Sequence, residues 1–206
     1  MTNHPAGVTF DYWNTLIAVG GGPHRENRVG AWVACLGRHG VSVQREQVAA
    51  AMEQQAGVLD ERWKAGEHYP PGQVIADTAA ALGVRDQSVV DELSAAQNDA
   101  VRRSPFQLAS GVVGALRRLR SAGVRIGVVC DVGVTPSSVL RDHLERHDVL
   151  GYFDAFAFSD EVGVYKPDGG IFRAALDVMG VAPDVAAHVG DLRRTDVKGA
   201  DAMGMT

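Results

Sequence analysis

Hydrophobic and polar positions change rhythm twice along the chain. Near the start, Gly7-Val8-Thr9-Phe10 is a short β-prone run that ends at Asp11 and is broken by Asn14-Thr15. From Ser110 onward, helical and strand-like periods alternate. Ser110 can cap a helix whose apolar face is Val112, Val113, Leu116 and Leu119, and Gly123 ends it. A buried-type strand is predicted over 124–130. Thr135-Pro136 supplies a cap and a first-turn proline for the next helix, with Val139, Leu140 and Leu144 facing inward. The pattern then predicts a strand over 153–158, a helix over 168–179 closed by Gly180, a strand over 186–189, and a last helix over 193–203 closed by Gly204. This alternation predicts an α/β fold with a doubly wound parallel sheet.

Between Pro23 and Ser104 the strand rhythm disappears and four helical stretches succeed one another, over 25–38, 44–64, 72–82 and 86–103. Gly40, the run from Gly66 to Pro71, and Gly83 separate them. The expected organisation is therefore a core domain from 1–19 and 106–206, interrupted by an inserted α-helical domain over 20–105. Gly20-Gly21-Gly22 and Ser104-Pro105 would act as its hinges. The triple glycine lacks the spacing and the lysine of a phosphate-cradling loop.

Composition narrows the partners. With 206 residues, 46% of them hydrophobic, the chain can bury one core of ordinary size plus an insertion. A net charge of -5 and scattered arginines argue against a nucleic-acid partner. No apolar run approaches the ~20 residues of a membrane span, so a membrane partner is not expected and a cytoplasmic location is. Cys35 and Cys130 fall in different predicted elements without metal-ligand spacing and read as reduced thiols.

Four segments carry candidate chemistry. Asp11 projects from a strand end, where a turn can present it to a ligand, although an Asp there is often only a turn former. Cys130-Asp131 closes the strand over 124–130; a buried cysteine is commonly a small hydrophobe. Lys166 is held extended by Pro167, a position that otherwise suits a solvated loop. Asp191 and Asp196 follow the strand over 186–189, where each could simply cap a helix or favour its dipole. In a doubly wound sheet ligands sit at the carboxyl ends of the strands, which is where Asp11, Cys130 and Asp191 fall.

In order and spacing, Asp11…Thr15, Cys130, Lys166 and Asp191/Asp196 resemble the four motifs of the haloacid dehalogenase superfamily, in its branch with a helical cap inserted after the first strand. The likeness covers nearly the whole chain. It is strongest over 152–203, through Tyr152-Phe153-Asp154, Ser159-Asp160-Glu161-Val162-Gly163, Lys166-Pro167-Asp168 and Gly190-Asp191. The resemblance implies that Asp11 attacks phosphorus of a small phosphorylated substrate and forms an aspartyl-phosphate. It also implies a Mg²⁺ cofactor on Asp11, the Trp13 carbonyl and Asp191, supported by Asp196. Lys166, Cys130 and Asp131 would contact the phosphoryl group. A thiol at 130 is a weaker donor than the serine or threonine the family carries there.

Trp13 departs from the pattern, because phosphatases of the family place a second Asp there as general acid and base. Three readings follow. The protein is a Mg²⁺-dependent phosphatase that finds its proton elsewhere, from Asp131, water or the substrate. It resembles the metal-independent 2-haloacid dehalogenases, which carry an aromatic residue at this place. Or it binds a phosphorylated ligand and turns over little. The paired acids Asp191 and Asp196 favour the first. The chain ends just after the last helix, where the family supplies a further strand and usually a helix, so either the sequence is truncated or a sheet edge is left bare. Two lesser features are His143 and His147, four apart and expected on a solvated helix face, and Trp63, His68 and Tyr69 near a turn of the insertion.

Overall fold

The computed structural model describes residues 4–18 and 24–206. The proposed glycine hinge at 20–22 and the predicted boundary at 19–20 lie outside those residues. The chain falls into two compact units, one of Met1–Gly20, Phe106–Asp131 and Arg141–Thr206, the other of Gly21–Pro105 and Val132–Leu140.

The first unit is built on β1 (Gly7–Phe10), with the short strands β2 (Ile17–Ala18) and β3 (Gln107–Leu108) forming an antiparallel pair of their own. The four helices of the insertion come between them in sequence: α1 (His24–Arg38), α2 (Arg45–Ala65), α3 (Pro71–Ala81) and α4 (Gln87–Arg102). After β3 the chain runs through α5 (Val112–Ser121), β4 (Arg125–Cys130), α6 (Ser137–Arg146), β5 (Ala155–Phe158) and the single turn α7 (Ser159–Val162). It then continues into α8 (Gly169–Met179), β6 (Ala186–Val189) and α9 (Lys198–Met203). The main sheet has the order β5-β4-β1-β6 and is parallel throughout. Its strands read as apolar runs because neighbours cover both faces: β1 is buried at every position, and β4 at all but Arg125. On one face α8 buries Ile171, Phe172, Ala175 and Leu176 with Val129, Ala155 and Ala157 of the sheet.

That strand order places the site. The chain steps from β1 to β4 and β5 in one direction, then returns past β1 to β6 on the other side. The carboxyl ends of β1 and β6 therefore flank the crevice where such sheets take ligands. Asp11 and Asp191 follow those two strands.

Several details differ from the sequence expectation. Ser110 does not cap α5; Gly111, at φ 86°, precedes its first residue instead. The helix after β4 starts at Ser137, one residue past the proline. Residues 193–197 form a π-helical turn ahead of α9, so the last helix is shorter than its apolar pattern suggests. The outer side of β6 is not wholly bare, because Thr206 donates to the Ala186 carbonyl and accepts from the His188 amide. Val132–Leu140 groups with the helical unit, where the Gln97 amide reaches the Val134 carbonyl at 3.4 Å.

In the helical unit, each helix begins and ends where local chemistry dictates. Asp86 caps α4 through the Ser88 amide, Pro71 occupies the first position of α3, and Gly66, at φ 75°, closes α2 in a left-handed turn. Its core gathers Val29, Trp32 and Leu36 of α1 with Val48, Ile75, Val90 and Leu93. Tyr69 is buried in the same unit and donates to Gln55 and Asp77, so packing and hydrogen bonding account for it.

Candidate active site

Asp11 is the first residue beyond β1, and its amide still donates to Val189 of β6 at 2.8 Å. Asn14, at φ 57°, then turns the chain, a left-handed conformation that Asn tolerates better than most residues. The turn closes with the Asn14 amide on the Ile17 carbonyl. Asp11 is thus held rigidly at the sheet's end while its carboxylate faces Lys166.

Lys166 is the centre of the cluster. Its ammonium donates to Asp11 Oδ1 and Asp196 Oδ1, both at 2.6 Å, and all three side chains are almost fully buried. Its backbone amide donates to Asp131 Oδ1 at 3.0 Å, so Asp131 fixes the loop that delivers the lysine. Burial pushes the Lys166 ammonium down, but Asp11, Asp131 and Asp196 outweigh it and the group stays charged well above its ordinary range. Asp11 responds the other way. Burial lifts its carboxyl to about 6 despite the pull of Lys166, and the neighbouring charge of Asp196 adds to the rise.

Asp196 sits in the π-helical turn. It accepts from Lys166, from the Leu192 amide at 2.9 Å, and from His188 Nε2 at 3.1 Å. A carboxylate can only accept, so His188 carries its proton on Nε2; burial keeps the ring neutral, and Nδ1 then accepts from the Thr9 hydroxyl at 2.8 Å. These bonds overcome the burial of Asp196 and hold its carboxyl far below the usual range. His188 and Thr9 were not singled out by sequence reasoning. The available signal was a histidine inside an otherwise apolar strand.

Gly190 allows Asp196 this position, since a Cβ on Gly190 would overlap the Asp196 carboxyl group. Gly190→Ala is expected to lower stability by about 1–3 kcal/mol through overpacking. A clear fall in the thermal midpoint would register it, and an unchanged midpoint would show that the turn yields freely.

Oxygen ligands of Asp11, Asp191 and Asp196 lie within 4.8 Å of one another. Asp191 is exposed and accepts from the Asn14 side-chain Nδ2 at 3.3 Å. Asp196 already accepts three hydrogen bonds, from Lys166, His188 and the Leu192 amide. The donor set accordingly fits a hard cation held by Asp11, Asp191 and a nearby backbone carbonyl, with Asp196 positioning Lys166. Cys130 is fully buried at the end of β4; burial, reinforced by Asp11, pushes its thiol far up and keeps it neutral.

Trp13 is half-buried, edge-on to Tyr12 at 4.9 Å and to Phe106 at 5.6 Å between ring centroids. The two histidines of α6 and its end do not form a solvated pair. His143 is buried against Phe106 and 3.4 Å from the Tyr12 hydroxyl, and His147 meets the Phe106 carbonyl at 3.0 Å. Aromatic packing behind the turn after β1 encloses His143, and a hydrogen bond to the backbone holds His147.

A carboxylate at the end of the first strand, a buried lysine on it and two acids after β6 match the arrangement that the motif spacing suggested. The family description for haloacid dehalogenase-like hydrolases matches residues 5–204. The chain belongs to that family. Among its relatives, it is 35% identical over 133 residues to haloacid dehalogenase-like hydrolase domain-containing protein 3 of Bos taurus, covering 64% of this chain and 51% of that protein. It is 34% identical over 94 residues to the glyceraldehyde 3-phosphate phosphatase of Methanopyrus kandleri, covering 46% and 39% respectively. The chain thus spans about half or less of the length of these relatives. Its fold resembles that of a 2-haloacid dehalogenase from Pseudomonas syringae pv. Tomato DC3000, with a TM-score of 0.65, 20% identity, and coverage of 96% of this chain and 83% of that one. Among the described residues, no helix is long and apolar enough to cross a membrane.

Proposed function

We propose that this hydrolase is a Mg²⁺-dependent phosphatase that cleaves a small phosphorylated metabolite through an aspartyl-phosphate on Asp11. The observation that carries the reading is the Lys166 ammonium, which bridges Asp11 and Asp196 at 2.6 Å each beside the exposed Asp191. One ammonium shared by two buried carboxylates, with a third acid beside them, leaves the site net negative, a charge that a divalent cation would offset so that an anionic phosphoryl group can approach Asp11. The phosphatase names of relatives such as the Methanopyrus protein support the substrate class.

In the proposed reaction Asp11, ionised, attacks phosphorus as the P–O bond to the leaving oxygen breaks, while Lys166 holds one of the carboxylate oxygens and stabilises the charge that gathers on the phosphoryl group. The leaving oxygen takes its proton from water, Asp131 or the substrate itself and departs as the alcohol. The neutral Cys130 thiol and the backbone at the end of β4 are the remaining donors for phosphoryl oxygens. Asp131 keeps Lys166 in place, and His188 and Thr9 keep Asp196 ionised so that Lys166 does not collapse onto Asp11 alone. A bound Mg²⁺ would supply charge neutralisation through Asp11, the Trp13 carbonyl and Asp191. Water then attacks the phosphorus of the acyl phosphate, the bond to the Asp11 oxygen breaks, and inorganic phosphate leaves with the carboxylate regenerated.

Trp13 favours a second reading, in which a halide rather than an alkoxide leaves and no proton donor is needed. Calorimetry separates the two. Wild type is expected to take up Mg²⁺, Asp191→Ala to bind it at least roughly tenfold more weakly, and phosphatase turnover to follow Mg²⁺ occupancy. Equal uptake by both proteins, or turnover of 2-haloacids indifferent to the ion, would replace the phosphatase reading with the dehalogenase one.

A further inference from the structure

We infer that the helical unit carries a second, softer metal site, formed by Cys35, His39 and Glu92, that takes a zinc-like divalent ion. Cys35 lies on α1 and His39 is the first residue past that helix, four positions on and so on the same face. Glu92 faces them from α4. One sulfur, one imidazole nitrogen and one carboxylate oxygen lie within 4.8 Å of one another, and His39 Nε2 is 3.0 Å from Glu92 Oε2.

Geometry and donor chemistry agree. Zinc-type bonds of about 2.0–2.3 Å in a tetrahedron put ligand atoms about 3.3–3.6 Å apart, so small side-chain rotations about a preformed triangle close the site. Thiolate and imidazole select Zn²⁺ or Co²⁺ over Mg²⁺, whereas Asp11, Asp191 and Asp196 offer oxygen alone. The two clusters would therefore sort different ions. Cys35 comes from the unit's core and is fully buried, which fixes the sulfur, while His39 is 28% exposed and leaves a fourth position open to water. A cysteine that merely filled the core would need no imidazole and carboxylate converging on it.

Two features oppose the ion. Arg38 stands 3.8 Å from the same Glu92 oxygen and must be displaced or shared. Burial pushes the Cys35 thiol up, a resistance that coordination overcomes because a bound dication deprotonates a ligating thiol.

Metal-free full-length protein, saturated with Mg²⁺ to occupy the oxygen site, would be titrated with Co²⁺ and followed spectroscopically. A thiolate-to-cobalt charge-transfer band saturating at one ion per chain is expected in wild type and in Cys130→Ser. Cys35→Ser should lose the band. His39→Ala changes a surface group and should leave folding intact; it should weaken uptake by more than the roughly 10- to 100-fold that even an outer-shell partner costs. Zn²⁺ should raise the thermal midpoint of wild type and not that of His39→Ala. A wild type without the band, a band that survives Cys35→Ser and vanishes in Cys130→Ser, or equal uptake by wild type and His39→Ala would overturn the site.

Discussion

Asp11→Asn is expected to abolish turnover while leaving the protein folded. The substitution keeps the volume of the side chain and removes only the oxyanion that attacks. Loss of a covalent nucleophile costs on the order of 10⁶-fold elsewhere, which would bring any steady-state rate to background. Mass spectrometry adds a direct reading, since wild type quenched during turnover should carry a phosphoryl adduct that the variant lacks. A variant with wild-type activity would remove Asp11 from the chemistry altogether.

The electrostatics of Asp11 sharpen this expectation. Burial, followed by the nearby charge of Asp196, places its carboxyl at about 6, and only the ionised form attacks. Turnover at low Mg²⁺ should thus fall about tenfold per pH unit below that point, and a cation on the carboxylate should move the midpoint down. The sign for stability follows from the same shift. A carboxyl raised in the folded state above its ordinary 3.8 loses stability as pH climbs from about 3.8 to 6. Asn in its place never ionises, and Lys166 keeps its bond to Asp196. The thermal midpoint of Asp11→Asn at neutral pH is accordingly expected to equal or exceed that of wild type.

How far the fold could be read from the sequence depended on how local the deciding physics was. All four helices of the insertion begin and end within a residue of the predicted bounds, because Gln44, Pro71, Asp86 and the turn glycines act on their own neighbours. The strand over 186–189 was equally legible from its flanking turns. What failed was tertiary. The π-helical turn at 193–197 exists because Asp196 is drawn under Lys166 and His188, and an apolar period cannot register a carboxylate 30 residues away from its partner in sequence. His143 was read as solvated because it was weighed with His147 as a metal pair lacking a third ligand, although Val139 and Leu140 lie on its own face of α6; Phe106 and Tyr12, far off in sequence, complete its burial. Cys35 was read simply as a reduced thiol because it was weighed only against Cys130; His39 stands four residues on, but Glu92, the third member of the cluster, comes from another helix. For the candidate catalytic cluster, motif spacing pointed to Asp11, Lys166, Asp191 and Asp196, which the structure brings together; the resemblance gave Asp196 a part in supporting the ion, whereas its hydrogen bonds tie it to Lys166 and His188. Three lone pairs of Asp196 are already engaged by Lys166, His188 and the Leu192 amide, which suits it to positioning Lys166, while under the proposed function the exposed Asp191 would meet the ion.

Trp13→Asp should have the largest effect in the opposite direction, raising activity. The position lies two residues past Asp11 on the same turn, and the indole there can neither give nor take a proton at working pH. A positioned acid and base is worth roughly 10²- to 10⁴-fold, so alkyl and aryl phosphates, whose leaving oxygen needs a proton, should gain up to that much. Acyl phosphates leave as stable carboxylates and should gain little. The exchange gives up edge contacts with Tyr12 and Phe106, at about 0.5–1.5 kcal/mol for each, so the variant should melt lower. Because Trp13 is half-buried rather than enclosed, a carboxylate there keeps part of its hydration and the fold should survive. Rates for the two substrate types, compared on a folded variant, decide the role of the residue. A selective gain for alkyl and aryl phosphates identifies the missing proton donor as the limit on this hydrolase. Equal changes for both would mean that the indole shapes the pocket and that proton transfer is handled elsewhere.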